Sequence, residues 1–183
     1  MSAINERWFG ENDAIAEASG HSLKGTILER YGAGKATMVG GIVAPRRRDL
    51  AVGTRLVRYD GSSRPRVALG GKWWLEWSQY ERLTLIARAA STGLNTVFRE
   101  LCHVPPEWNN LHVVIQVRTV APLAAYEGPG VPVDQIKPTL AVSNIIGDQP
   151  ITQLYIPGLA SYDIAQRALA IEGQGFQPGT TDA

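Results

Sequence analysis

Arg58 stands near the end of a short run, Gly53-Thr54-Arg55-Leu56-Val57-Arg58-Tyr59-Asp60, that reads as a buried strand followed by a Gly- and Ser-containing turn. A guanidinium carried into apolar surroundings is costly unless something anionic meets it, and its fork of donors suits phosphate. Further on, Gly70-Gly71-Lys72-Trp73-Trp74 reads as a second strand that opens on two glycines and two indoles. Glycines permit close backbone approach, and indoles offer flat apolar faces. Together these residues predict a pocket for a phosphorylated, flat-ringed ligand. Arg58 is placed on phosphate, Tyr59, Trp73 or Trp74 against the ring, and Gly70 and Gly71 beside it. The plainer alternative for Arg58 is an ion pair with Asp60. At least one of the adjacent indoles belongs to the core, because neighbours on a strand point to opposite faces.

The elements that must position these groups belong to a chain of 183 residues, long enough for one domain with its own core. A formal net charge of +1 gives no global attraction to nucleic acid or membrane. The basic run Arg46-Arg47-Arg48 is expected in a solvated loop, with a phosphate or partner contact as the alternative. Cys102 is the sole cysteine, which excludes an internal disulfide. A catalytic thiol beside His103 is disfavoured because adjacent residues seldom face each other. The three histidines, His21, His103 and His112, show no metal-ligand spacing, so no metal site is expected. The amino-terminal residues lack a secretory pattern, and no apolar stretch reaches spanning length; a soluble protein that does not enter membranes is expected.

Residues 1–45 read as an N-terminal helical cap with a Gly-rich linker, one helix capped by Asn12 and another by Ser22. Residues 46–172 form the main domain, and residues 173–183 are expected to be a disordered tail. Strands are expected near Thr54–Tyr59, Lys72–Leu75, Leu111–Arg118, Val120–Ala125, Thr139–Ser143 and Ile151–Ile156. Ser78-Gln79-Tyr80-Glu81 has capping-box spacing ahead of the apolar face Leu83, Ile86, Ala87 and Ala90, with Gly93 as a stop. A short helix runs from Asn95 to about Leu101, and a last one from Ser161 to Ala170. Strands and helices do not alternate, which points to an α+β fold with a largely antiparallel sheet. Neither a Gly-x-Gly-x-x-Gly turn nor a Walker-type loop is present, so a nucleotide bound here needs another scaffold.

The strand ending Leu56-Val57-Arg58-Tyr59-Asp60 resembles the first motif of ADP-ribosyltransferase toxins, and Gly70-Gly71-Lys72-Trp73-Trp74 resembles a second-motif strand. Val104-Pro105-Pro106-Glu107-Trp108-Asn109-Asn110, Tyr126-Glu127-Gly128 and Gln135 are similar to segments of polymorphic bacterial toxins of that superfamily, including interbacterial effectors that modify elongation factor Tu. Gln153-Leu154-Tyr155-Ile156-Pro157 is similar to the last catalytic strand. The likeness runs from about Thr54 to Pro157. It implies a split, largely antiparallel sheet beneath the helical cap, with NAD as substrate. ADP-ribose would pass to a macromolecular acceptor, a protein such as elongation factor Tu or an RNA, and a cognate immunity protein would be a further partner. It also implies action in the bacterial cytoplasm, or delivery into a target cell without a signal peptide.

Cleaving the nicotinamide–ribose bond passes through an oxocarbenium-like state, so the site must clamp pyrophosphate and stabilise positive charge on the ribose. The resemblance gives the first task to Arg58. It places Gln153 where the family carries a glutamate, and an amide offers a developing cation no negative charge. Glu127 or Glu107 would then supply the carboxylate. Three alternatives stay open: an NAD glycohydrolase with water as acceptor, an inactive copy that only binds, and a noncatalytic phage or secretion-system protein.

Overall fold

Val113, Ile115 and Val117 share one face of an interior strand that is paired on both sides, while Gln116 and Arg118 on the other face are less buried. The structure, a computed structural model, describes residues 2–10, 12–20, 40–61, 69–106, 108–133, 138–146 and 149–176. Along the chain these form α1 (Glu6–Phe9), α2 (Asn12–Ala18), β1 (Arg46–Leu50), β2 (Arg55–Asp60), β3 (Trp73–Glu76), α3 (Trp77–Ala89) and α4 (Leu94–Cys102). There follow β4 (Val113–Thr119), β5 (Leu123–Pro129), α5 (Leu140–Ile146), β6 (Thr152–Tyr155), α6 (Tyr162–Ala168) and β7 (Leu169–Phe176). The seven strands form one sheet in the order β1-β5-β6-β3-β2-β4-β7, and every neighbouring pair is antiparallel. The fold is α+β with an antiparallel sheet, as the sequence led one to expect.

The sheet is divided near its middle. β2 pairs with β4 along its whole length, but with β3 only at Leu56↔Glu76 and Val57↔Leu75. Beyond that point the two strands part. One face carries Leu56, Trp74, Ile115, Leu123 and Leu154 against α6. The other carries Val57, Tyr59, Leu75 and Val114 against α3 and α4, where Leu83, Ile86, Phe98 and Leu101 are buried. Burying each such side chain stabilises the fold by about 1.5–3 kcal/mol, so the two clusters hold the halves together across the short β2–β3 ladder.

The N-terminal segment is built onto this sheet. Asn5 is fully buried; its Nδ2 donates to Ala124 O (2.8 Å) and Pro157 O (2.9 Å), and its Oδ1 accepts from Ala124 N (2.8 Å). Phe9 stacks on Tyr126 with centroids 4.3 Å apart, while Ala14 and Ala18 complete a third cluster with Tyr155. The helix expected from Ser22 lies outside the described residues, as does most of the Gly-rich linker.

Four expectations are corrected. Arg46-Arg47-Arg48 is not a loop but begins β1, an edge strand on β5, where arginines are tolerated because four of its five residues are exposed. Thr139–Ser143 is not a strand: Leu140–Ile146 is helical, and Val142 N donates to Thr139 Oγ1 (3.4 Å), the bond of a helix N-cap. The tail from Gly173 pairs with β4 as far as Phe176 rather than lying loose. Ser78 lies inside α3, whose N-cap is Glu76, and Gly93 starts α4 rather than stopping α3.

Candidate functional site

Alternation puts Arg58 on the face of Leu56, yet its guanidinium lies in the opening where β2 leaves β3. Arg58 Nη1 donates to Trp73 O (2.9 Å), so the side chain spans the gap that the ladder no longer closes. Its Nε donates to Asp60 Oδ2 (3.2 Å), the ion pair that was the plainer alternative. Both side chains are mostly buried, at 17% and 13% exposure. Burial pushes the guanidinium below its ordinary proton affinity, although Asp60 opposes the shift. Among the described residues the cation is therefore only partly compensated, and these two bonds leave guanidinium donors to spare.

Gly71 makes this possible. A Cβ at that position would fall onto the Arg58 guanidinium carbon, so the glycine makes room for the arginine rather than for a ligand. Gly70 stays half-buried beside it. Trp74 is the core indole, 2% exposed, with Nε1 donating to Gly71 O (2.7 Å). Trp73 is half-buried and meets Tyr155 edge-on at 5.1 Å.

Arg58, Tyr59, Trp73, Trp74 and Gln153 line one pocket of about 240 Å³. Its remaining walls include Phe98, Cys102 and His103 at the end of α4, together with Trp108 and Asn109. Gln153 is buried and its Nε2 donates to Cys102 O (3.1 Å), which turns Oε1 away from that carbonyl as an acceptor. Gly130 does for Gln153 what Gly71 does for Arg58, since a Cβ there would fall onto Nε2. Asn109 is held at both ends of its amide: Nδ2 donates to Tyr59 O (3.0 Å) and Oδ1 accepts from Leu111 N (2.8 Å). Burial pushes the Cys102 thiol up, which disfavours the thiolate a nucleophile needs.

Glu127 does not join this site. It sits one residue from Gly128, the cross-strand partner of Gln153, and so points to the other face of the sheet. There it faces Arg48 (3.8 Å) in a second hollow with Glu76 and Gln79. This corrects its expected role as the carboxylate beside Gln153. Glu107 lies outside the described residues, as does Gln135. Among the described residues no Asp or Glu lines the first pocket, and no cluster of His, Cys, Asp and Glu could hold a metal ion.

Sequence reasoning missed Phe98, His103 and Asn109. Phe98 carried no signal of its own within the helix expected from Asn95 to about Leu101. His103 follows the last helical residue in a left-handed conformation (φ 53°), and its signal was a histidine between a helix end and a proline pair.

No family model matches the sequence, and no curated protein does. The chain is similar to a solved structure described as "Structure of Tne2 in complex with Tni2", with a TM-score of 0.42 and 14% identity, over 73% of this chain and 92% of that one.

Proposed function

We propose that this chain is an NAD-cleaving toxin of the ADP-ribosyltransferase type, which passes ADP-ribose to a macromolecular acceptor. The observation that carries the reading is the meeting of Arg58, Trp73 and Gln153 on one pocket where the sheet divides. Arg58 offers the donors that Asp60 and the Trp73 carbonyl leave unused to the pyrophosphate, a second anion beside a desolvated charge. Trp73 offers an apolar face to a ring, and Gln153 Oε1 accepts from a ribose hydroxyl.

Bond cleavage sends the electron pair of the glycosidic C–N bond onto the ring nitrogen, so cationic nicotinamide leaves neutral and positive charge stays on the ribose. An acceptor nucleophile then bonds to the anomeric carbon and releases its proton; water in that place gives hydrolysis. Glu107, between Pro106 and the pocket residue Trp108 in sequence, is the carboxylate assigned to stabilise that charge. The partners on this reading are an acceptor such as elongation factor Tu or an RNA, and a cognate immunity protein. A second reading, a nucleotide-binding protein without turnover, is favoured by the lack of a described carboxylate in the pocket.

Incubating the purified chain with NAD carrying label in the adenylate half, with and without cell lysate, separates these readings. Nicotinamide release that depends on lysate, with label on a macromolecule, is the expected result. Release without lysate makes the protein a glycohydrolase. Saturable NAD binding without release supports the second reading, and neither binding nor release contradicts both.

A further inference from the structure

Two residues that line the pocket, Tyr59 and His103, each carry a buried polar atom, Oη and Nδ1, that makes no hydrogen bond among the described residues. The third such atom, Asn95 Oδ1, lies in the first turn of α4, away from the pocket. Folded proteins seldom leave buried polar atoms unpaired, and two gathered in one pocket call for a ligand group. We infer that Tyr59 and His103 read the head group of the ring that enters this pocket, accepting a neutral primary carboxamide and rejecting the corresponding carboxylate. This inference rests on the NAD reading above and assigns specificity within it.

Both groups are held in place before any ligand arrives. The Tyr59 ring packs on Phe98 with centroids 4.1 Å apart, and its backbone carbonyl is tied to Asn109. His103 is fixed by its left-handed backbone, with its N–H on Arg99 O as the C-cap of α4. Burial lowers the proton affinity of the imidazole, which keeps it neutral near pH 7. A tyrosine hydroxyl donates to the amide C=O, and a neutral imidazole with its proton on Nε2 accepts at Nδ1 from the amide NH2. Gln153 Oε1, freed by its own bond to Cys102 O, is a further acceptor. A carboxylate brings no hydrogen to either acceptor. On the NAD reading Arg58, the sole Lys or Arg among the described residues lining the pocket, is taken by the pyrophosphate and does not serve the head group.

The test is calorimetric titration of the full chain with nicotinamide and with nicotinic acid, in wild type, Tyr59→Phe, His103→Gly and His103→Asn. Wild type should favour nicotinamide by about tenfold or more, the usual consequence of leaving a buried partner unpaired. Tyr59→Phe keeps the ring on Phe98, and His103→Gly suits the positive φ; each should narrow that ratio by about fivefold. His103→Asn should restore most of it, because Asn tolerates the same backbone and puts Oδ1 where Nδ1 stood. Equal affinity for the two rings in wild type, or a ratio unchanged in both Tyr59→Phe and His103→Gly, overturns the inference. If NAD is still bound and cleaved through Arg58 in that case, the carboxamide assignment fails alone. If NAD is not bound at all, the functional reading fails with it.

Discussion

Arg58 and Arg48 sit on strands of one sheet, yet the protein treats their charges in opposite ways. Arg48 is 47% exposed and lies between two carboxylates, donating to Glu76 at 3.0 Å and facing Glu127 at 3.8 Å. Bonding to Glu76 raises its proton affinity, so its charge is already answered by protein and water. Among the described residues Arg58 has only the ion pair with Asp60 and the Trp73 carbonyl, and desolvation outweighs Asp60. A surface arginine with two acidic neighbours asks nothing of a ligand. A buried one with spare donors, beside an open pocket, does.

Substitutions that should separate the two arginines most widely fall on Arg58. Arg58→Ala should lower NAD turnover by more than about 100-fold, the scale seen when a charge-stabilising group is removed from a dry site. Arg58→Lys, which keeps a cation near Asp60 but loses the fork, should retain folding and still lose about tenfold in turnover. Gly71→Ala should approach Arg58→Ala in turnover, because the new methyl occupies the guanidinium's place; activity near wild type would show that the arginine's position is immaterial. Gln153→Ala should cost about 10- to 100-fold through the lost ribose hydrogen bond, read as kcat/KM for NAD.

Smaller effects are expected outside the pocket. Glu17 receives Lys72 Nζ at 2.5 Å and the Tyr155 hydroxyl. Burial pushes its carboxyl up, but the bonds from Lys72 and Tyr155 together outweigh it and hold the group below its ordinary value of 4.5. A depressed carboxyl contributes stability above its unfolded value and loses that contribution as pH falls through the folded one. Acid unfolding of wild type should therefore include a component, setting in below about pH 4.5, that Glu17→Gln abolishes. Arg48→Ala should change stability by less than about 1 kcal/mol and leave NAD turnover within about twofold, as exposed pairs do. A large loss there would erase the contrast between the arginines.

Legibility in the sequence followed the same division. β4 was readable because apolar residues recur there at a period of two, and β2 and β3 because short apolar or aromatic runs lie beside glycines; that placed Arg58, Trp73 and Trp74 on strands that prove to be adjacent. β1 was not, because an edge strand pairs through its backbone and needs no apolar face, so three arginines in a row look like a loop. Leu140–Ile146 was misread because a short apolar run fits strand or helix equally until its cap is seen. The face occupied by Glu127 depended on register with β6, which no local pattern fixes. His103 and Asn109 reach the pocket through a helix end and a loop, where side-chain direction has no periodic signature.

Equilibrium binding of NAD to wild type and to Arg58→Lys, with thermal unfolding of both as the control for folding, is the most direct measurement. Saturable binding by wild type that weakens about tenfold or more in a variant of unchanged melting temperature is the predicted result. Equal binding by the two proteins, or none by wild type at millimolar NAD, would contradict the assignment of the divided sheet as a nucleotide site.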